Sequence, residues 1–167
     1  MKIAIISDTH DNISTLKKAM AWINQNDIQE LIHCGDIASF ETLQELSQSF
    51  HGKIHIVFGN MDDDYSLSET LKKHPLDNVV SRGKVGAIEI AGARIAFSHL
   101  PRTAEDLAKS GKYDIVFYGH THKPWEEKID ATRLINPGNL AGQFYKPSFA
   151  AYDTDAGLLE LKILDNL

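Results

Sequence analysis

Seven side chains of the types that bind divalent metal ions stand at or just after the ends of short apolar runs. They are Asp8, His10, Asp36, Asn60, His99, His120 and His122. Imidazole and carboxylate together suit Mn, Fe, Co, Ni or Zn, whereas Mg and Ca sites normally use more oxygen ligands. Seven ligands are too many for one catalytic ion. The set therefore predicts two ions that share one carboxylate and leave positions open for water and substrate.

Spacing supports this interpretation for two pairs of these side chains. Asp8 and His10 are two residues apart, as are His120 and His122, and in an extended chain such pairs point to the same side. Packing alone would not call for two imidazoles so close together after a buried strand. His99 stands alone, and a structural role as a buried histidine is the competing interpretation at that position.

The remaining histidines and the one cysteine are expected to be structural. These histidines are His33, His51, His55 and His74. Cys34 is predicted to be a small buried side chain near the site. Because a single cysteine forms no disulfide framework, a reducing compartment is the default expectation.

Apolar runs alternate with amphipathic stretches in the first two-thirds of the chain. Strands are predicted at residues 2–7, 30–34, 53–58, 85–90, 94–98 and 114–118. Helices are predicted at residues 13–26, 41–50, 67–73 and 103–110, the last with Thr103 as its N-cap. After His122, residues 125–130, 133–135, 149–152 and 158–163 indicate strands with no helix between them.

This order of elements favours mixed β-sheets packed together, with helices on the outside. The apolar strands deliver the seven polar side chains at their carboxyl ends, which is the edge where ligands bind in α/β sheets. The length fits a single domain, residues 1–167, that can bury roughly 70% of its unfolded surface without help from a disulfide.

Charge and hydropathy disfavour several classes of function. The formal net charge is −6 and no run of lysine or arginine stands out, so extended nucleic-acid binding is not expected. No segment approaches the roughly 18 apolar residues of a membrane helix, and the N-terminal apolar run is too short for a secretory signal. A cytoplasmic protein without membrane partners is therefore expected. Its oligomeric state stays open, a homodimer included.

The order of the short motifs resembles that of the calcineurin-like metallophosphoesterase superfamily. Five blocks occur in sequence, each after a predicted strand: D-x-H at Asp8, G-D at Asp36, G-N at Asn60, the isolated His99 and G-H-x-H at His120. Within the superfamily, the chain is similar to the small phosphodiesterases of the YfcE and MJ0936 type over nearly its whole length. Residues 136–139, N-P-G-N, resemble the N-P-G-S turn of these proteins.

The resemblance implies an α/β fold, a four-layer αββα sandwich of two mixed β-sheets flanked by helices. The ligand sets that it implies are Asp8, His10 and His122 for a first ion, Asn60, His99 and His120 for a second, and Asp36 as the bridge. A hydroxide between the ions would attack the phosphorus. Asp36, Asn60 and His99 are the expected catalytic residues. Manganese is the expected ion, with nickel, cobalt, iron or zinc as alternatives.

Two positions depart from the family's pattern. Many members carry a histidine after G-N that donates a proton to the leaving group, whereas Met61 stands there and cannot donate a proton. The serine of N-P-G-S is replaced by Asn139, which keeps a polar side chain. The following acidic run, residues 62–64, indicates a solvated turn rather than additional ligands.

The expected function is hydrolysis of a small phosphodiester, and two alternatives are weighed beside it. Vps29, a relative of the family, serves as a protein-binding scaffold with a degraded metal site, but none of the expected ligands is lost here. A phosphomonoesterase, including a protein phosphatase, is the other alternative. The short chain and the missing histidine at Met61 disfavour it.

Overall fold

The structure is a computed structural model that describes residues 1–64 and 66–167. The elements of the N-terminal part are β1 (Lys2–Ile6), α1 (Ile13–Gln25), β2 (Glu30–His33), α2 (Phe40–Ser49), β3 (Lys53–Ile56), α3 (Asn60–Asp64), α4 (Leu67–Lys73) and β4 (Val79–Ser81). Those of the C-terminal part are β5 (Val85–Ile90), β6 (Ala93–Ser98), α5 (Pro101–Lys109), β7 (Ile115–Phe117), β8 (Trp125–Ile129), β9 (Thr132–Asn136), β10 (Ser148–Asp153), β11 (Leu158–Ile163) and a 3-10 turn at Leu164–Asn166.

The strands form two mixed sheets. One sheet has the order β11-β10-β1-β2-β3-β4, in which β1 to β4 run parallel and β10 and β11 are antiparallel to their neighbours. The other has the order β5-β6-β7-β9-β8, with parallel pairing of β6, β7 and β9 and antiparallel edge strands. The motif-bearing strands β1, β2, β3, β6 and β7 are therefore all parallel to a neighbour.

Three apolar clusters divide the molecule into four layers. Alternate residues of β1 point to opposite faces: Ile3 and Ile5 pack between the two sheets, whereas Ala4 and Ile6 pack against α1 and α2. On the far face of the second sheet, Ala104 of α5 packs in a third cluster with residues of β6, β7 and β9. Fully burying each large apolar side chain stabilises the fold by about 1.5–3 kcal/mol. The predicted αββα sandwich is confirmed.

The helix after β6 begins earlier than its sequence pattern indicates. α5 starts at Pro101, so Thr103 lies inside the helix and is not its N-cap, as predicted from the sequence. Leu100 precedes the helix and makes no side-chain cap. Proline suits the first turn of a helix because its φ is preset and the missing N–H would have no helical acceptor there. The start of α5 follows from this preference.

Two short elements escape the sequence pattern. β4 has three residues and pairs with β3 at the edge of its sheet, and α3 has five residues and begins at the G-N motif itself. Neither is long enough to show a hydrophobic period. None of the helices in the described ranges has the length and apolar character needed to cross a membrane.

Candidate metal centre

The seven predicted ligands meet at the carboxyl ends of β1, β2, β3, β6 and β7, where the loops of the two sheets face each other. Groups that lie far apart in sequence come into contact there. Nε2 of His10 lies 3.2 Å from Nε2 of His122, and Nε2 of His99 lies 3.2 Å from Oδ1 of Asn60. The structure therefore brings all the predicted ligands into one centre.

The first cluster comprises Asp8, His10 and His122, whose ligand atoms all lie within 4.8 Å of one another. Asp8 is fully buried, and its Oδ1 is 3.3 Å from Nε2 of His122 and 3.8 Å from Nε2 of His10. Both Asp8 carboxylate oxygens also accept the backbone N–H of His120 at 3.1 Å. This hydrogen bond ties the D-x-H loop to the G-H-x-H loop.

The second cluster comprises Asp36, His99 and His120, again within 4.8 Å of one another, with Asn60 beside them. Nδ1 of His120 lies 3.2 Å from both Asn60 Oδ1 and His99 Nε2. Oδ2 of Asp36 is 3.3 Å from Nε2 of His99 and 3.7 Å from Nε2 of His10. The Asp36 carboxylate therefore reaches both clusters, as a bridging ligand would.

The donor atoms of the second cluster fit a cation. Nδ1 of His99 donates to the carbonyl oxygen of Cys34 at 2.9 Å, which leaves Nε2 of the neutral ring with a lone pair. That lone pair faces two further acceptors, Asn60 Oδ1 at 3.2 Å and Asp36 Oδ2 at 3.3 Å. Facing acceptors repel each other unless positive charge lies between them. A proton on Nε2 would supply that charge in the absence of metal, and a divalent ion would supply it when bound, so the residues present fit a metal site.

The electrostatics of both clusters favour positive charge. Burial lowers the pKa of His99, but the protonated ring donates from Nε2 to Asp36, and this hydrogen bond together with the charges of Asp8 and Asp36 raises the pKa above its ordinary value. The pKa of His122 is raised mainly by its hydrogen bond to Asp8. Burial opposes ionisation of Asp8, yet its hydrogen bonds to His10 and His122 hold its pKa well below the usual range. Carboxylates in this setting stay ionised and attract cations.

Left-handed backbone, not extended chain, turns most of these side chains inward. Positive φ angles occur at Asp8 (51°), His10 (42°), Asp36 (56°), His120 (69°) and His122 (60°). The expectation from spacing that His120 and His122 point to the same side of an extended chain is wrong, because their side chains enter different clusters, the division that the resemblance implies. Asp8 and His10 do share a cluster, but not because the chain between them is extended.

Comparison with known proteins decides the family. Residues 1–157 match the model of the calcineurin-like phosphoesterase superfamily domain. The chain belongs to this superfamily. It is 34% identical over 157 residues to phosphodiesterase MJ0936 of Methanocaldococcus jannaschii, a match that covers 93% of this chain and 94% of the relative. A solved archaeal phosphodiesterase has a TM-score of 0.86 at 31% identity, over 98% of this chain and 99% of that one.

More distant structures share the fold alone. The YfcE phosphoesterase from E. coli has a TM-score of 0.74 at 19% identity and covers 99% of this chain and 94% of its own. Vps29 from Chaetomium thermophilum has a TM-score of 0.71 at 16% identity and covers 98% and 94%. Because both enzymes and Vps29 adopt this sandwich, the fold does not distinguish catalysis from scaffolding. The side chains at the two clusters must therefore distinguish an enzyme from a scaffold.

In this phosphoesterase, a buried carboxylate links the loops that carry Asp36 and Asn60. The Asp62 side chain accepts the backbone N–H groups of Asp36 at 2.9 Å, Ala38 at 2.9 Å and Gly59 at 2.7 Å. Asp62 is 1% exposed, and burial raises its pKa. The prediction of a solvated acidic turn is wrong at this residue because Asn60 opens α3, which turns Asp62 back toward β2. The only indication in the sequence was the position of this aspartate two residues after the G-N motif.

The neighbouring residues behave differently from Asp62. Asp63 is exposed and contacts the ammonium group of Lys84. The side chain of Asp64 lies outside the described part of the chain. Met61 is half-buried, and its backbone N–H donates to Oδ1 of Asp36 at 2.9 Å. The main chain at Met61 therefore orients the carboxylate that faces both clusters.

Histidine 33, predicted to be structural, joins two of the ligand-bearing loops. Its Nδ1 accepts the backbone N–H of Gly35 at 3.1 Å, so the proton resides on Nε2, which faces the Thr9 hydroxyl at 2.9 Å. Burial lowers the pKa of His33 to about 3, which keeps the ring neutral. Thr9 stands between two ligands of the first cluster, so this bond fixes the D-x-H loop against the G-D loop.

The N-P-G-N turn supports the loop of the two C-terminal histidines. Nδ2 of Asn136 donates to the carbonyl of Gly119 at 2.9 Å, and Nδ2 of Asn139 donates to the carbonyl of His122 at 3.0 Å. Oδ1 of Asn139 accepts the N–H of Gly142 at 2.6 Å. An amide offers both a donor and an acceptor, so Asn139 can join the two segments at once.

Glycine is required where the loops approach most closely. A Cβ at Gly59 would lie 2.1 Å from Oδ1 of Asp36, and one at Gly119 would lie 2.0 Å from the Ser7 hydroxyl and 2.7 Å from Oδ2 of Asp8. Any side chain at either position would displace the carboxylate of Asp36 or Asp8. The glycines of G-N and G-H-x-H therefore allow the clusters to be compact.

Proposed function

We propose that this phosphoesterase hydrolyses a small phosphodiester with two divalent metal ions bound at the two clusters. The observation that carries the proposal is the convergence of three acceptor atoms: Nε2 of His99 lies 3.2 Å from Oδ1 of Asn60 and 3.3 Å from Oδ2 of Asp36. Similarity to MJ0936, which is named a phosphodiesterase, supports a diester as the substrate. Manganese is the proposed ion, and Ni, Co, Fe and Zn suit the same mixed donors.

In the proposed ligand sets, Asp8, His10 and His122 hold the first ion, Asn60, His99 and His120 hold the second, and Asp36 contacts both. Such ions, when bound, lower the pKa of water and neutralise charge that develops on phosphoryl oxygens. Two carboxylates do not cancel the charge of two divalent ions. The centre would therefore attract a phosphate ester although the whole chain is acidic.

The chain itself supplies orientation. The Cys34 carbonyl fixes the His99 ring, and the Met61 N–H fixes the Asp36 carboxylate. The side chain of Met61 cannot protonate a departing alkoxide. We infer that diesters with stable leaving groups, such as aryl diesters, are the better substrates, since general acid catalysis is worth about 10²–10⁴-fold where it operates.

Metal add-back tests this function. The purified chain is stripped with a chelator, reloaded with Mn²⁺, and assayed on an aryl phosphodiester and on the matching monoester. We expect no hydrolysis before reloading, and faster hydrolysis of the diester than of the monoester afterwards. Full activity in the stripped chain would contradict metal dependence, and a strong preference for the monoester would favour a phosphomonoesterase instead.

The scaffold alternative is disfavoured because the complete ligand set converges here. A cytoplasmic location, expected from the sequence, stays a prediction, and the oligomeric state, with a homodimer as one possibility, stays open. Fractionation of the native host and a sedimentation experiment would test them.

A further inference from the structure

A cavity of about 290 Å³ opens directly beside the second cluster. Its lining residues are Phe58, Gly59, Asn60, Asp63, Lys84, His99, Leu100 and Thr103. Asn60 and His99 belong both to the cavity and to the cluster, so a phosphoryl group at the centre would stand at the cavity's inner wall. Small-molecule sites usually measure about 300–1,000 Å³. The space therefore suits one ester group of a substrate, not a whole ligand.

The walls of this cavity are largely apolar. Phe58 is 6% exposed, whereas Leu100 is 47% exposed although it adjoins the ligand His99. An apolar ring placed over Leu100 would remove that surface from water, which stabilises the complex by about 25 cal/mol for each Å² of apolar surface buried.

The charges on the cavity cancel. The ammonium group of Lys84 contacts the carboxylate of Asp63, and it also donates to the carbonyl of Gly59 at 3.4 Å. A charged ester group of either sign gains nothing from this pair, because attraction to one partner is offset by repulsion from the other. The Lys84 ammonium group can donate a hydrogen bond to the polar edge of a neutral ligand, and the Asp63 carboxylate can accept one from it.

We propose that the cavity receives one ester group of the phosphodiester and selects a neutral planar ring, such as an aryl group or a nucleobase. The proposal rests on the proposed function, because the ring is placed by a phosphoryl group bound at the two clusters. Leu100, Phe58 and Thr103 contact the faces of the ring, and the Asp63–Lys84 pair meets its polar edge.

Binding of two symmetrical diesters tests the selection. Diphenyl phosphate and dimethyl phosphate carry the same charge and differ only in the groups that could enter the cavity. Their inhibition constants are measured against hydrolysis of bis(4-nitrophenyl) phosphate by the Mn²⁺-loaded protein, and their binding is measured directly by calorimetry. We expect diphenyl phosphate to bind more tightly, and bis(4-carboxyphenyl) phosphate, which carries extra negative charge, to bind more weakly than diphenyl phosphate.

Two variants change the cavity in opposite directions. Leu100→Ala removes apolar wall, and Thr103→Phe fills the space. Each should reduce the preference for diphenyl over dimethyl phosphate about tenfold, the lower end of what one methylene is worth in an apolar pocket. Leu158→Ala is the matched control, because Leu158 is 54% exposed and lies on β11, outside the cavity. It should leave the preference unchanged.

Failure of the cavity proposal and failure of the proposed hydrolysis give different results. Wild-type preference in both Leu100→Ala and Thr103→Phe would overturn the role of the cavity, as would equal binding of diphenyl and dimethyl phosphate to the wild type. Equal binding of the carboxylated and plain diphenyl esters would overturn selection for a neutral ring. Absence of any diester hydrolysis by the metal-loaded wild type would refute the proposed function instead, and calorimetry would still report on the cavity.

Discussion

The two ligand clusters differ in how they meet the solvent. In the first, Asp8 is fully buried, His122 is 7% exposed, and the ring of Phe144 packs edge-on against His122 with centroids 5.6 Å apart. In the second, His120 is exposed and the cavity opens beside Asn60. The first cluster is thus the less open of the two, although His10 is only partly buried and Phe144 itself is 89% exposed, and the second faces the space in which an ester group fits. We expect the second ion to exchange more readily and to contact the substrate more directly.

Among the residues that the structure describes, Asp36 is the carboxylate that faces both clusters, so its loss should have the largest effect. Asp36→Ala is expected to lower occupancy at both sites and to reduce hydrolysis to background. Metal analysis of the purified variant, together with an assay on an aryl diester, measures both. Asp77→Ala, which removes an exposed carboxylate, serves as the control. Retention of two ions per chain with normal turnover would show that Asp36 does not connect the sites.

Removal of one histidine from each cluster should separate the two ions. His122→Ala is expected to lose the first ion selectively, and His120→Ala the second, because the two side chains point to different clusters. A calorimetric titration with Mn²⁺ should resolve one remaining site in each variant. If both variants lose the same ion, the division of the G-H-x-H pair between clusters is incorrect.

Asp62 supports the second cluster without being a predicted ligand. Asp62→Asn leaves one acceptor oxygen for three backbone N–H groups, so the loops of Asp36 and Asn60 should loosen. Affinity for the second ion should fall about 10–100-fold, the usual effect of losing a group that orients a metal ligand. The first ion should be affected less. Asp63→Asn, at the exposed neighbouring residue, should leave both affinities unchanged, and an equal loss in the two variants would argue against the role of Asp62.

The smallest effect is expected at Met61. Met61→His introduces a potential proton donor next to the second cluster and should raise turnover by up to about 10²-fold, the lower end of what general acid catalysis supplies. The gain should be greater for esters with poor leaving groups, since stable anions depart without help. Rates on a series of diesters with increasing leaving-group pKa compare the two proteins. Parallel dependences would mean that residue 61 does not occupy the donor position or that another acid already acts.

The residues that form the two clusters could be predicted from the sequence because their side-chain types suit metal binding. Carboxylate, amide and imidazole groups that follow apolar strands leave few other interpretations, and the order of the motifs indicates the family. The order of the strands could not be predicted in this way. β1 lies between β2 and β10, and β7 pairs with β9, and these contacts join distant segments that no local hydrophobic period reveals.

Asp62 and the G-H-x-H pair show where local patterns fail. An acidic run of three residues resembles solvated surface, and only the short helix α3 carries Asp62 into the interior. The i,i+2 rule assumes extended backbone, whereas His120 and His122 have φ angles of 69° and 60°. Both errors arise because loop conformation near the centre depends on hydrogen bonds from other loops, such as the one from His120 N–H to Asp8.

Five residues of the two clusters have left-handed backbone, which lowers the stability of the fold. Residues in sparsely populated conformations cost of order 1–3 kcal/mol each, and aspartate and histidine tolerate this region better than most residues but less well than glycine. A ligand replaced by glycine would relax the loop while it destroys the metal site. Loss of Asp8 or Asp36 would still leave the backbone N–H of His120 or Met61 without its acceptor, whereas His120 is exposed and its loss carries less of this cost. Once hydrolysis is no longer selected, the exposed position can therefore change first while the sandwich persists.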